Sequence, residues 1–218
     1  MENPLQYQQH LDELIAYAST DEHKTDLIAG KAEYLGLTGE VFEDDKTFEM
    51  RMASFLDYYL FDRPHPAAGK TPARVYFEQE EPKSAPDRAA ALRAFTETIH
   101  GLFEVKKLGT GMVRLRELFT DKDYNVTERR SMVALEKGDV LEARLIPFGG
   151  HLLFSASFCY HPREASKVIK KEVKRRRKKE PTRPIQEMTW DAAKRALKAD
   201  RYRQISLEKI YDFENAKI

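Results

Sequence analysis

The sequence predicts an α+β protein. An N-terminal helical region packs on a small five-stranded antiparallel β-barrel or sandwich, followed by a basic helix and a short helical tail. Three observations carry this. Apolar residues recur with a helical period through residues 1–102. From Phe103 the period drops towards two for five short runs separated by turn residues, ending at His161. After Pro162 the helical period returns. Period is the primary signal because a helix brings every third or fourth residue to one face and a strand every second. The expected regions are therefore 1–102, 103–161 and 162–218.

Pro4 suits a first helical turn, and Leu11, Leu14, Ile15 and Ala18 follow Leu5 at helical spacing. A second helix is expected from the N-cap Asp21 to Gly36. The third is the clearest: Phe48, Met52, Phe55, Leu56, Tyr59 and Leu60 make a wide apolar stripe, ended by Pro64 and Pro66. The turn Ala68-Gly69-Lys70-Thr71-Pro72 leads into a short helix with Val75, Tyr76 and Phe77. Ser84-Ala85-Pro86-Asp87 opens another, with Leu92, Phe95, Ile99 and Leu102 on one face.

The five strands are expected at Phe103–Val105, Val113–Arg116, Tyr124–Glu128, Leu141–Leu145 and Leu152–Phe158. Between them stand Gly109-Thr110-Gly111, Thr120-Asp121-Lys122-Asp123, Lys137-Gly138-Asp139 and Phe148-Gly149-Gly150. Short strands at even spacing with turn chemistry between them are the mark of a small barrel or sandwich. The last run is almost wholly apolar, which requires cover on both faces, one of them from the N-terminal helices. Residues 163–180 read as a helix with only Ala165, Val168, Ile169 and Val173 apolar, closed by Pro181 and Pro184. A final pair of segments runs from the N-cap Thr189 through Trp190, Ala193 and Leu197 to Leu207, Ile210 and Tyr211.

Composition excludes several classes. With 41% hydrophobic and 11% aromatic residues in 218, the chain has material for a core. No apolar run approaches the roughly 18 residues of a membrane span. The start, Met1-Glu-Asn-Pro, lacks a secretory apolar region. Cys159 is the one cysteine, so neither an internal disulfide nor a thiolate metal cage is expected. These observations together predict a cytoplasmic protein.

The net charge of +1 conceals a dipolar chain. Residues 1–63 carry 14 acids against 5 bases, and residues 162–218 carry 9 acids against 18 bases. Such asymmetry points to a polyanion partner for the basic end, or to acidic and basic surfaces that meet each other. The basic end concentrates in Lys170-Lys171-Glu172-Val173-Lys174-Arg175-Arg176-Arg177-Lys178-Lys179. On a helix these cations point nearly all round and repel at i and i+4, so an anion from outside is expected to quiet them. Nucleic-acid phosphate fits, and the arginines favour bidentate contacts. The plainer reading is a solvated helix or one facing the acidic first region.

Other chemistry is thin. None of the six histidines lies in a metal-binding spacing, so no metal or cofactor is expected. His100 is expected on a helix as a core or boundary residue, and His65, between two prolines, is the best exposed candidate. Cys159 lies in an apolar run where a thiol stays protonated. Gly109-Thr110-Gly111 lacks the Gly-Lys-Ser/Thr and helix of a phosphate loop and reads as a hairpin turn. The acids Glu40, Glu43, Asp44 and Asp45 favour the positive start of the third helix, and paired carboxylates there also suit a divalent ion.

Residues 48–162 carry an ordered set of motifs: Phe55-Leu-Asp-Tyr-Tyr-Leu-Phe-Asp-Arg63, Gly69-Lys-Thr-Pro72, Leu102-Phe-Glu-Val105, Arg116-Glu-Leu118, Val126-Thr-Glu-Arg129 and Gly138-Asp-Val-Leu-Glu-Ala-Arg-Leu-Ile-Pro147. This half of the chain resembles a group of bacterial proteins, some of which carry a SEC-C-type zinc motif. The shared residues are core aromatics and turn positions, so the resemblance implies a bacterial cytoplasmic protein of helical-plus-barrel build and no catalytic residue. The zinc motif is missing, since Cys159 stands alone, and zinc-dependent partner binding does not carry over.

The expected function is non-enzymatic binding of RNA or DNA phosphates through Lys170, Lys171, Lys174, Arg175, Arg176, Arg177, Lys178 and Lys179, extended by Arg114 and Arg116. The alternative is an assembly or adaptor protein in which the acidic front of one chain meets the basic back of another. A third reading is a metal-assisted nuclease using Asp44 and Asp45.

Overall fold

The structure, a computed structural model, describes residues 4–127 and 135–214. Met1 to Asn3, the side chain of Leu5, and Glu128 and Arg129 of the third predicted strand and its motif lie outside them. In chain order come α1 (Pro4–Ala18), α2 (Lys24–Thr38), α3 (Phe48–Phe61), α4 (Pro72–Glu80) and α5 (Pro86–Ala94). The strands are β1 (Ile99–Gly109), β2 (Met112–Glu117), β3 (Asp123–Thr127), β4 (Val140–Phe148) and β5 (His151–Tyr160), followed by α6 (Ser166–Lys179), α7 (Ile185–Arg201) and α8 (Leu207–Ile210).

All five predicted strands form one sheet in the order β1-β2-β3-β5-β4, which closes on itself through β4 and β1. The sheet is not wholly antiparallel as expected. β3 and β5 run parallel, and Thr127 pairs with Leu153 between them. Between β4 and β5 the turn is two residues, Gly149 and Gly150, with φ of 56° and 75°. Two positive φ values at the centre of a tight hairpin match the right-handed twist of the strands, and glycine takes them without strain.

Alternation sorts the sheet's side chains into two sets. Phe103, Val105, Val113, Leu115, Val126, Leu141, Ala143, Leu145 and Phe158 pack together as one core. Leu102, Leu118 and Val140 face the other way and pack with Ile169, Val173, Met188 and Tyr211 of the C-terminal segments. A third core joins α1 to α5, where the predicted stripe of α3 buries Phe55, Tyr59 and Leu60 and meets Ile146 of β4. β5 is indeed covered by the N-terminal part, since α3 lies along it.

Three boundaries differ from expectation. α5 ends at Ala94, and Ile99, His100 and Leu102 belong to β1, so the expected division between 102 and 103 cuts a strand. The spacing of Leu92, Phe95, Ile99 and Leu102 satisfies a helix by coincidence, because Ile99 and Leu102 lie on opposite faces of the strand. α7 begins at Ile185, and Thr189 is not its cap but an interior residue whose hydroxyl donates to the Ile185 carbonyl at 3.4 Å.

α2 begins at Lys24 and runs past Gly36 to Thr38. Its cap is Gly39, with φ 93° and ψ 140°, whose N–H donates to the Leu35 carbonyl at 2.8 Å. A Cβ there would sit 3.1 Å from Leu197 on α7, whereas one at Gly36 would meet nothing within 4 Å. Gly39→Ala is therefore expected to lower stability by about 1–3 kcal/mol, because an L side chain at that φ is strained and crowded. Gly36→Ala should be neutral or stabilising. Urea unfolding of the two variants checks this.

The joint between α3 and the sheet is ionic. Arg144 on β4, 1% exposed, forms ion pairs with Asp62 and, at 3.4 Å, with Asp57, and donates to Thr98 Oγ1 at 2.8 Å. His100, its cross-strand partner on β1, bridges Asp62 at 3.4 Å and Glu142 at 2.9 Å. Ser155 and Ser157 are buried where β5 is irregular opposite Ala143–Leu145, and Ser155 Oγ accepts the Ser157 N–H at 3.1 Å. Burial and the Arg144 charge pull His100 down, but its bonds to Asp62 and Glu142 outweigh them and its pKa stands at about 9. The proton is thus held more tightly in the folded chain than in the unfolded one. Its contribution is complete below about pH 6.5 and is lost as pH rises through about 9, a loss of at most about 3 kcal/mol. Urea midpoints at pH 6 and above pH 9 should fall further in the native chain than in His100→Gln.

Candidate nucleic-acid interface

The run at 170–179 lies on α6, and α6 has two faces. Ser166, Ile169, Glu172, Val173 and Arg176 are buried, at a spacing that puts them on one side. Ile169 and Val173 enter the core beneath β1 and β4 together with Ala165. The expectation that the cations require an outside anion is corrected for half of them. Arg175 donates to both oxygens of Glu172 at 2.7 Å and to Glu180 at 2.6 Å. Arg176, 6% exposed, donates to Glu172 at 2.7 Å and to Asp191 of α7 at 3.1 Å. Arg177 reaches Asp121 at 2.6 Å and the Leu118 carbonyl at 3.2 Å, and Lys170 donates to Glu104 at 2.9 Å. Burial pushes Glu172 up, yet the bonds from Arg175 and Arg176 prevail and hold its carboxyl below the ordinary range. These arginines are structural: the chain's own carboxylates quiet them.

The other face is different. Lys167, Lys171, Lys174 and Lys178 are exposed and recur at i, i+4, i+7 and i+11, and Lys179 is exposed beside them. None of the five has an ion pair within 4 Å among the described residues. At 1.5 Å per residue the four make a stripe about 16 Å long. It borders a groove of about 510 Å³ between α6 and the β1–β2 side of the sheet. The groove is lined by six cations, Arg116, Lys167, Lys170, Lys171, Lys174 and Arg177, against the two carboxylates Glu104 and Asp121, over a floor of Leu118 and Val173. Lys167 stands outside the dense basic run. Its signal in the sequence is its place one turn before Lys171.

The remaining candidates are tied elsewhere. Arg114 and Arg116 pair with Asp123 at 2.7 and 2.8 Å, and Arg116 alone reaches the groove. Asp45 pairs with Arg201 of α7, at 3.0 Å through Nε, and accepts the Phe42 N–H at 2.7 Å. Asp45 is therefore already neutralised within the chain, and among the described residues no three His, Cys, Asp or Glu gather as a metal cage. His65 lies 3.8 Å from Asp26 and accepts the Ala67 N–H at 3.2 Å inside its own loop. His100 belongs to the buried network on β1 rather than to a helix. Cys159 is buried, which pushes its thiol up to about 12. His161, held neutral as burial drives it to about 4, meets the Tyr211 hydroxyl at 3.1 Å.

Among the described residues no helix is long and apolar enough to cross a membrane. No curated protein and no solved structure matches the chain. One family profile does, over residues 5–191, which takes in every element from α1 through α6 and the start of α7: the chain belongs to DUF7986, a family of unknown function.

Proposed function

We propose that this is a non-enzymatic binding protein that engages RNA or DNA phosphates through the lysine face of α6. The observation that carries the reading is the division of α6. Its arginines lock one face to the fold, and that leaves Lys167, Lys171, Lys174 and Lys178 projecting together without partners among the described residues. A row of fixed, unpaired ammonium groups lowers its own repulsion when it displaces counterions from a polyphosphate. Lysine binds phosphate as a point charge and no aromatic side chain among the described residues lines the groove, so recognition is of backbone rather than base. We place this activity in the bacterial cytoplasm, from the resemblance above and the single buried cysteine.

The adaptor reading draws less support. Acidic front and basic back already meet inside one chain, where α7 packs on α2 and Arg201 pairs with Asp45. Purification from a native lysate at low salt separates the two. Nucleic acid travelling with the chain, seen as a raised 260/280 nm absorbance ratio that nuclease abolishes, supports the proposal. Mass that grows as salt falls, with nucleic acid removed, supports head-to-tail assembly and overturns it.

A further inference from the structure

Arg177 differs from the two arginines before it. Arg175 spends Nε, Nη1 and Nη2 on Glu172 and Glu180, and Arg176 is buried. Arg177 spends Nη1 alone, which donates to the Leu118 carbonyl at 3.2 Å and meets Asp121 at 2.6 Å. Its Nε and Nη2 make no hydrogen bond to any described residue, and its side chain is 36% exposed on the wall of the groove beside α6. These two donors lie side by side along one edge of the planar guanidinium, the arrangement that holds two oxygens of an anion at once. The fold thus grips one nitrogen of Arg177 and leaves the fork open. A guanidinium fixed beforehand spares its ligand the entropic cost of ordering it.

Lys174 stands one turn before Arg177, within about 60° of it around the helix, and lines the same groove. It is exposed and has no ion pair to a described residue, whereas Lys170, a further turn back, donates to Glu104. A fork and an ammonium on one place carry two positive charges. A phosphodiester, with one negative charge, leaves them half matched, and a terminal phosphate with nearly two satisfies them. The groove's volume of about 510 Å³ suits one nucleotide-sized molecule, while a duplex is far larger and rests on the lysine rim. We infer that the groove binds a terminal phosphate group, its oxygens on Nε and Nη2 of Arg177 and its second charge on Lys174. The group belongs to a free nucleotide or to the 5′ end of a strand. This site shares Lys174 with the lysine face but takes a compact dianion rather than a polymer, so either can fail while the other stands.

Two measurements on the full chain test this: calorimetric titration with uridine 5′-monophosphate and with uridine, and anisotropy of one labelled single strand with and without a 5′-phosphate. Expected is a gain of at least about tenfold from the phosphate in one pair or both. A gain in the first pair alone assigns the site to a free nucleotide, and in the second alone to a chain end. Arg177→Lys keeps the charge and loses the fork, so it should weaken the phosphorylated probe by about tenfold. The same variant should bind a duplex without terminal phosphates as the native chain does, which separates this site from the lysine face. The inference is overturned if neither probe gains from its phosphate, if Arg177→Lys binds the phosphorylated probe as the native chain does, or if it weakens the duplex equally.

Discussion

Replacing Lys167, Lys171, Lys174 and Lys178 together by glutamine is expected to weaken nucleic-acid binding about a thousandfold at about 0.1 M salt. Four phosphate contacts are lost, and each accounts for roughly one released counterion. The same variant should keep its unfolding midpoint, because all four side chains are exposed and without ion pairs to described residues. The contrast is the pair Arg175→Ala and Arg176→Ala. Arg176 shares Glu172 with Arg175, and Glu172 is 5% exposed, so the double variant leaves a buried carboxylate without its partners. It should lose about 2–3 kcal/mol of stability while its affinity, measured below its unfolding transition, stays close to native. Fluorescence anisotropy with a labelled oligonucleotide, alongside urea unfolding, reads both quantities.

The largest effect on stability is expected at Arg144. Arg144→Met strips the counter-charge from Asp57 and Asp62 at the joint between α3 and the sheet, at a cost of about 3–5 kcal/mol. Burial pushes Asp57 up even with Arg144 present, so without it the residue has little reason to ionise. The Phe61 ring, 5.1 Å below the guanidinium, loses its stacked cation as well. Thermal unfolding should fall by roughly 10 °C or more. Adding Asp62→Asn to Arg144→Met should recover part of the loss, because it removes a stranded charge. A double variant no more stable than the single one would show that the ionic joint does not behave as a unit.

What the sequence disclosed depended on distance along the chain. The five strands and the Gly149-Gly150 turn were legible because alternation and turn chemistry are local. The parallel pairing of β3 with β5 was not, because it is settled by where β4 and the helices lie. Gly36 and Gly39 are equally good helix stops by composition, and what selects Gly39 is the approach of Leu197, far away in sequence. The same holds for the site. The basic run announced itself, but the partners that pacify it include Glu104, Asp121 and Asp191, distant residues that no pattern within the run reveals. Glu172 was the exception: it precedes Arg175 and Arg176 by three and four residues, spacing that already marks two helical ion pairs. Those two pairs separate the structural arginines from the exposed lysines.

The central claim is that the lysine face of α6 binds a polyphosphate by charge, and the salt dependence of affinity tests it most directly. With four phosphate contacts, the affinity of the native chain for a random-sequence duplex should fall about a hundredfold between about 50 and 200 mM salt, a logarithmic slope near −3.6. An affinity that is flat across that range, or no measurable binding at its low end, would contradict the account.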